Sequence, residues 1–200
     1  MTDTTNIPGI TDKSLVLYKN GLALVQRADA KIHLVLLNGK EIAVRHKDVE
    51  LLHPGPSERL HIIGEKAEKL EGEVDAACEM LAGEQTTIAE FSELAFEQWT
   101  PVSAWAVVLL LQDALVMTGR VWSLYIRTEE EKSTIIEERT AKEREQHQWE
   151  ALLKRIQKKR LEPGDAEKFF DVENVAYGLS YSSRILKALG IKEDQEHAHE

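Results

Sequence analysis

From Thr128 to Arg160 the sequence contains no glycine and no proline and is dense in Glu, Lys, Arg and Gln. A run of this kind is expected to form one long helix. Thr128, with Glu131 three residues on, makes a capping box at its start. Glu138–Lys142 and Glu150–Lys154 are i,i+4 pairs in the favourable order. Apolar residues fall near the ends only, at Ile135 and Ile136, then at Trp149, Leu152, Leu153 and Ile156. The stretch from Glu137 to Gln148 is almost wholly polar, so no coiled-coil heptad is sustained. The middle of this helix is expected to be a solvent-spanning strut, and the rest of the chain must fold as separate blocks on either side of it.

Before the helix, short apolar runs alternate with turn residues from Ser14 to Leu52. Leu15 to Tyr18 precedes Asn20-Gly21, and Ile32 to Leu37 precedes Asn38-Gly39. Asn-Gly is a hairpin signal because a type I′ turn needs two residues that accept positive φ. Asp29-Ala30-Lys31 supplies a third reversal, Ile42 to Val44 a further strand, and Val49 to Leu52 a last one after a tight turn at His46-Lys47-Asp48. Five short strands predict an SH3-like five-stranded β-barrel over 13–56, ended by Pro54-Gly55-Pro56, with a disordered N-terminus over 1–12. Lys19, Arg27, Lys31, Lys40, Arg45 and Lys47 nearly balance the acids around them. Tyr18 is the only aromatic, which does not support a multi-base stacking platform. Weak phosphate contact through residues such as Arg27 and Lys31 stays open beside the plainer reading of ordinary surface charge.

Residues 65–127 read as a winged helix-turn-helix. Helical periodicity runs from Glu65 to Leu81, with Leu70, Val74, Ala77, Cys78 and Leu81 on one stripe and Gly83 as a stop. Thr87 with Glu90 opens a second helix as a capping box. Thr100 and Pro101 open a third, as N-cap and favoured first residue. Leu115 to Met117 and Val121 to Ile126 then flank Thr118-Gly119-Arg120 as a hairpin, completing the winged order. The third helix holds the place that reads the major groove in DNA-binding versions. It carries no basic residue, and Gln112 and Asp113 come only at its end, whereas base edges are read by hydrogen-bonding side chains near the N-terminus. It is apolar nearly all round and is expected to pack rather than read. Residues 61–100 carry ten acidic residues against Lys66 and Lys69, a face that repels phosphate. The wing is more permissive, with Arg120 at its tip and Arg127 at its end. Trp122 and Tyr125 between them suit cross-strand packing better than base stacking.

The long helix, expected over 128–161, ends in Lys154, Arg155, Lys158, Lys159 and Arg160, the one concentrated basic cluster of the chain. Cations so placed can track a phosphate backbone with salt-sensitive affinity, or simply face the carbonyl end of the helix dipole. Both uses stay open. Pro163-Gly164 breaks the helix. Asp165 then caps another with Phe169, Phe170, Val172, Val175 and Ala176 as apolar positions, and a last pattern from Tyr181 to Leu189 ends at Gly190. His197-x-His199 lacks the i,i+4 spacing of a helical metal pair and is expected at an exposed, frayed end.

Composition narrows the function classes. With 25 Lys+Arg against 35 Asp+Glu the formal charge is −10, which excludes a general polyanion sponge unless the cations concentrate on one face. One cysteine, Cys78, excludes an intramolecular disulfide and a cysteine-rich zinc module. On its apolar stripe it reads as core rather than nucleophile. No phosphate-binding glycine loop and no Gly-x-Ser-x-Gly elbow occurs. No apolar run approaches the roughly 20 residues of a membrane span, and Met1-Thr-Asp-Thr-Thr-Asn lacks the start of a signal peptide. A reducing, cytoplasmic setting is expected.

The α+β order of barrel, winged domain, long helix and helical tail, with Trp99-Thr-Pro-Val-Ser, Gln148-Trp-Glu-Ala-Leu-Leu and Leu186-Lys-Ala-Leu-Gly-Ile, resembles the N-terminal region of ribonuclease II/R-type (RNB-family) exoribonucleases of the cyanobacterial, plastid and Deinococcus-like branch. The resemblance implies 3′→5′ hydrolysis of single-stranded RNA at an RNB domain whose clustered aspartates hold Mg²⁺. The nine aspartates here are scattered with no Asp-x-Asp cluster. The catalytic domain is therefore expected to be absent and the chain inactive alone, a front end cut or truncated near Glu200. No catalytic residue, metal ligand or cofactor is expected in it. The expected partners are single-stranded RNA and an RNB domain in cis, with no membrane partner and no sequence-specific DNA. The alternative is a stand-alone winged-helix DNA-binding regulator or protein-interaction adaptor.

Overall fold

The computed structural model describes residues 9–57 and 59–198 and divides into two compact units, Met1–Ile136 and Glu137–Glu200. The expected disorder of 1–12 falls mostly on residues outside that description, as does His199.

In the first unit, β1 (Leu15–Tyr18), β2 (Gly21–Ala28), β3 (Ile32–Leu36), β4 (Glu41–Val44) and β5 (Glu50–His53) form one antiparallel sheet in the order β4-β3-β2-β1-β5. The apolar runs are nearly continuous because β1 and β2 are buried on both faces. Val16, Ala23 and Val25 pack with Ile32, Leu34 and Leu51 in one cluster, and Leu15, Leu22 and Leu52 pack among helices in another. The first hairpin turns on Lys19 and Asn20, at φ 49° and 62°, with Gly21 already paired to Tyr18. In the second, Gly39 takes φ 76° and donates its N–H to Leu36 O, while Leu36 N–H donates to Lys40 O, a turn followed by a glycine bulge.

The sheet does not close into the expected barrel. Strands β4 and β5 are its two edges, and a 3-10 turn at His46–Asp48 carries the chain between them. The β5 carbonyls are satisfied in another way. Trp122 Nε1 donates to Leu51 O at 2.8 Å and Trp99 Nε1 to Leu52 O at 3.1 Å, with the two indoles edge to face at 5.8 Å. These aromatics join the sheet to the helices.

The helical part comprises α1 (Leu60–Glu68), α2 (Val74–Met80), α3 (Ile88–Phe96) and α4 (Pro101–Asp113). Strand β6 (Gln85–Thr86) precedes α3, and the hairpin β7 (Met117–Arg120) and β8 (Ser123–Ile126) follows α4, in a small sheet ordered β6-β8-β7. The single helix expected over 65–81 is two helices. Glu73 N–H bonds Ala95 O, and a Cβ on Gly72 would collide with that carbonyl and the Phe96 ring. Close approach of α3 therefore breaks the helix at the one residue that permits it. The wing turns at Val121-Trp122, two residues later than expected, because Val121 is buried and its carbonyl receives Ile88 N–H.

Helix α5 (Glu129–Gln157) starts in the first unit and supplies the second. Its residues 137–148 are all exposed, as the polar pattern requires. In the second unit its last turns pack with a 3-10 segment (Pro163–Phe169), α6 (Phe170–Ala176), α7 (Arg184–Leu189) and α8 (Gln195–Ala198). Leu152, Val172, Val175, Ile185 and Leu186 form the buried cluster.

Candidate nucleic-acid interface

The C-terminal end of α5 is set by backbone geometry before charge. Arg160 N–H bonds Arg155 O and Lys159 N–H bonds Ile156 O, each at 2.9 Å, with Lys159 at φ 53°. This is a Schellman closure with a lysine in the left-handed position where glycine is usual. Past it, Pro163 and Gly164 turn the chain so that Asp165 comes back beneath the helix.

That return divides the basic cluster. Arg155 Nε donates to Asp165 Oδ2 at 2.8 Å and Nη2 to Oδ1 at 2.6 Å, a two-toothed pair. Asp165 is 2% exposed and also accepts Glu162 N–H. The Arg155 guanidinium, with that backbone bond, lowers the Asp165 carboxyl to about 2. Arg155 is therefore tied into the fold and does not stand with the solvent-facing cations. Lys154, Lys158, Lys159 and Arg160 are exposed and have no salt bridge among the described residues. The interior of α5's last turns is apolar, which leaves these four side chains in water.

The other candidate cations lie in the first unit. Arg120 lines a groove of about 640 Å³ with His46, Lys47, Glu50, Trp122 and Ser123. Sequence alone does not mark His46 and Lys47 as site residues, and only their place in the turn before β5 hints at it. His46 Nε2 lies 2.8 Å from Asp29 O, which links the groove to the β2–β3 hairpin bearing Arg27 and Lys31. Lys31 is exposed, while Arg27 pairs with Asp29 at 2.7 Å. Hydrogen bonding from Lys31 N–H and the Arg27 charge hold Asp29 below the usual carboxylate range. Arg127 is not brought to this edge, since its Nε donates to Ala114 O at 3.3 Å.

Two features of the first unit oppose nucleic acid elsewhere. Helix α4 is sealed, with Ser103 to Val108 all buried, so no reading face is presented. All ten acidic residues of 61–100 are exposed. The wing aromatics have structural work: Trp122 holds β5, and the Tyr125 hydroxyl donates to Glu131 at 3.1 Å. At the chain's other end, His197 is not frayed. Its Nδ1 lies 2.6 Å from Asp194 Oδ1, which also accepts His197 N–H. These bonds hold the Asp194 carboxyl far below its ordinary value.

The model of a family described as a double HTH domain, of RNase II type, matches residues 132–200. No curated protein and no solved structure matches the chain. The helix-turn-helix marked by this comparison is the helical tail with its basic entry, rather than the segment 65–127. Over that tail the match supports the RNase II-type likeness read from the sequence. Among the described residues no group of three or more His, Cys, Asp or Glu is placed to share a metal ion, and no single helix is long and apolar enough to cross a membrane. The described residues thus offer no cluster of carboxylates that fits a Mg²⁺ ion.

Proposed function

We propose that this chain is a nucleic-acid-handling accessory module of RNase II type, which guides single-stranded RNA and docks with a catalytic RNB domain of the same protein. One coincidence carries the reading. The segment matched by the double HTH model contains Lys154, Lys158, Lys159 and Arg160, exposed and without an ionic partner among the described residues. Unpaired cations on an otherwise acidic body attract phosphate where they are concentrated and nowhere else. In this reading the barrel-like sheet is an opened SH3-like module, and the groove at Arg120 and Lys47 with Lys31 gives a weaker second contact. Hydrolysis and its Mg²⁺ belong to the RNB domain, in the cytoplasm, in the cyanobacterial, plastid and Deinococcus-like branch. The buried α4 argues against the rival reading of a duplex-reading regulator.

The test replaces Lys154, Lys158, Lys159 and Arg160 together by glutamine and keeps Arg155, whose loss would disturb the fold. Fluorescence anisotropy with a labelled single-stranded RNA is followed across a salt series. The expected result is weaker binding and a log–log salt slope flatter by about 0.7 for each phosphate no longer neutralised. An unchanged slope would return the cluster to helix-end electrostatics. Tight, salt-resistant binding of an unrelated DNA duplex would sink the reading.

A further inference from the structure

In the second unit a cleft of about 280 Å³ opens beside α5, with Glu145, Trp149 and Leu152 on one side and Lys168, Asp171 and Arg184 on the other. The Arg184 guanidinium carbon lies 4.2 Å from the centre of the Trp149 ring. One face of the guanidinium therefore rests on the indole, while the side chain stays 63% exposed. Asp171 Oδ2 accepts Arg184 N–H at 2.6 Å, but Oδ1 is buried with no hydrogen-bond partner among the described residues. A buried carboxylate oxygen with no donor is costly and calls for one.

The lining charge balances, with Lys168 and Arg184 against Asp171 and Glu145, the last 3.8 Å from Arg184. Such a cleft does not gather phosphate. It suits the neutral parts of a nucleotide, the base and the sugar. Its volume lies close to the roughly 300 Å³ at which small-molecule pockets begin, which limits an occupant to a single unit the size of one nucleoside. Exposed aromatics flank the lining residues in sequence: Phe170 precedes Asp171, and Tyr181, 94% exposed, comes three residues before Arg184. Lys154 and Lys158 project from the other side of α5 from Trp149 and Leu152, so the cleft is separate from the cation cluster.

We propose that this cleft receives one nucleoside of a single-stranded RNA. Its base stacks on the open face of the Arg184 guanidinium, its ribose 2′-hydroxyl donates to Asp171 Oδ1, and the next base rests on Tyr181. Guanidinium planes and exposed aromatics are the usual platforms for unstacked bases, and the 2′-hydroxyl is the group that tells RNA from DNA. A donor reaches Oδ1 once a lining side chain turns aside, and the solvent-exposed Lys168 is free to do so while Arg184 keeps its place on Trp149. The inference rests on the RNA-handling reading above and adds a sugar-sensing site to it.

The test uses the full chain and labelled oligoadenylates in ribo and deoxyribo form at fixed salt. The wild type is expected to bind the ribo form roughly tenfold more tightly, the size of one hydrogen bond to a charged group. Asp171→Asn turns the orphan acceptor into a mixed amide and is expected to erase that preference. Arg184→Lys keeps the charge but removes the plane, and Tyr181→Ala touches only an exposed ring. Each is expected to weaken both sugars by roughly tenfold through lost stacking, with the salt slope unchanged. Equal wild-type affinity for the two sugars, or full affinity in Arg184→Lys and Tyr181→Ala, overturns the site. If RNA still binds with a salt slope set by Lys154, Lys158, Lys159 and Arg160, only this inference falls. If no RNA binds, both fall.

Discussion

The two units solve the same problem with different means. The first buries Ile63, Phe91, Val107, Met117 and Leu124 in one cluster and Val16, Ile32 and Leu34 in another, and its indole bonds and helix caps refine a core already made. The second has five buried apolar residues among those described and leans on polar ties: Arg155 to Asp165, Asp171 to Arg184 N–H, Ser183 to Leu186 N–H and Asp194 to His197. A smaller unit buries a smaller share of its surface, so each specific interaction weighs more. Cations from one cluster therefore serve different ends. Arg155 completes a small fold, whereas its neighbours stay available to a ligand.

The sharpest way to break this comparison is Leu152→Ala. Leu152 is fully buried at the centre of the small cluster, and its truncation should cost about 2–5 kcal/mol. The expected outcome is a second unit that loses amide-exchange protection while β1 to β3 keep theirs. Loss of protection in both at once would show that the units fold as one.

Acid separates the units next. His53 is half-buried, with Nδ1 accepting Gly55 N–H at 3.0 Å and Nε2 lying 3.2 Å from Trp99 O. Burial pushes its pKa below the ordinary 6.5, against the Trp99 carbonyl, which raises it. The unfolded chain thus takes up the proton first. The His53 contribution is complete above pH 6.5 and falls away as the pH drops through the folded value. Asp165 contributes fully above its ordinary 3.8, and that contribution is lost as the pH falls towards about 2. Tertiary signals from the first unit should therefore weaken below pH 6.5, well before the Arg155–Asp165 tie responds. His53→Gln should remove the upper step and Asp165→Asn the lower one, both read by urea midpoints across pH. A first unit whose stability does not fall as the pH drops below 6.5 would contradict the assignment of His53.

What was legible in the sequence was whatever a few adjacent residues decide. The caps at Thr87, Thr100 and Thr128 all form, with Glu90, Ser103 and Glu131 returning the bond, because capping is settled within one turn. The apolar character of α4 told correctly of burial. Features fixed by distant neighbours were not visible. Gly72 breaks a helical period only because α3 passes there, and β6 exists only because β8 offers Gln85 and Thr86 a partner. At the site, counting charges found Lys154 to Arg160 as a group. It could not show that Asp165, beyond a proline-glycine break, would take Arg155 out of it. Nor did spacing suggest that Trp149, Asp171 and Arg184 meet.

A smaller test concerns the edge of the large sheet. Trp122→Phe keeps the ring and removes the N–H that Leu51 O accepts, which should cost about 1 kcal/mol. The effect should appear as faster amide exchange in β5 with the second unit unchanged. A wild-type midpoint would mean that water replaces the indole and that packing alone holds this edge.

The smallest expected effect has the opposite sign and separates shape from charge in the basic cluster. Lys159 closes α5 with φ 53°, a conformation that glycine adopts without strain. Lys159→Gly should therefore stabilise the second unit, by about 0.5 kcal/mol once the greater freedom of glycine in the unfolded chain is set against the relieved backbone. Lys159→Gln removes the same charge and keeps the strain, so it should leave stability nearly unchanged. If Lys159 also meets phosphate, both variants neutralise one phosphate fewer and flatten the salt slope equally, by about 0.7. Equal slopes with unequal stabilities would mean that the helix end was set by its backbone and its cations left for a ligand. Slopes that match the wild type in both variants would assign Lys159 to helix closure alone, leaving Lys154, Lys158 and Arg160 as the binding set.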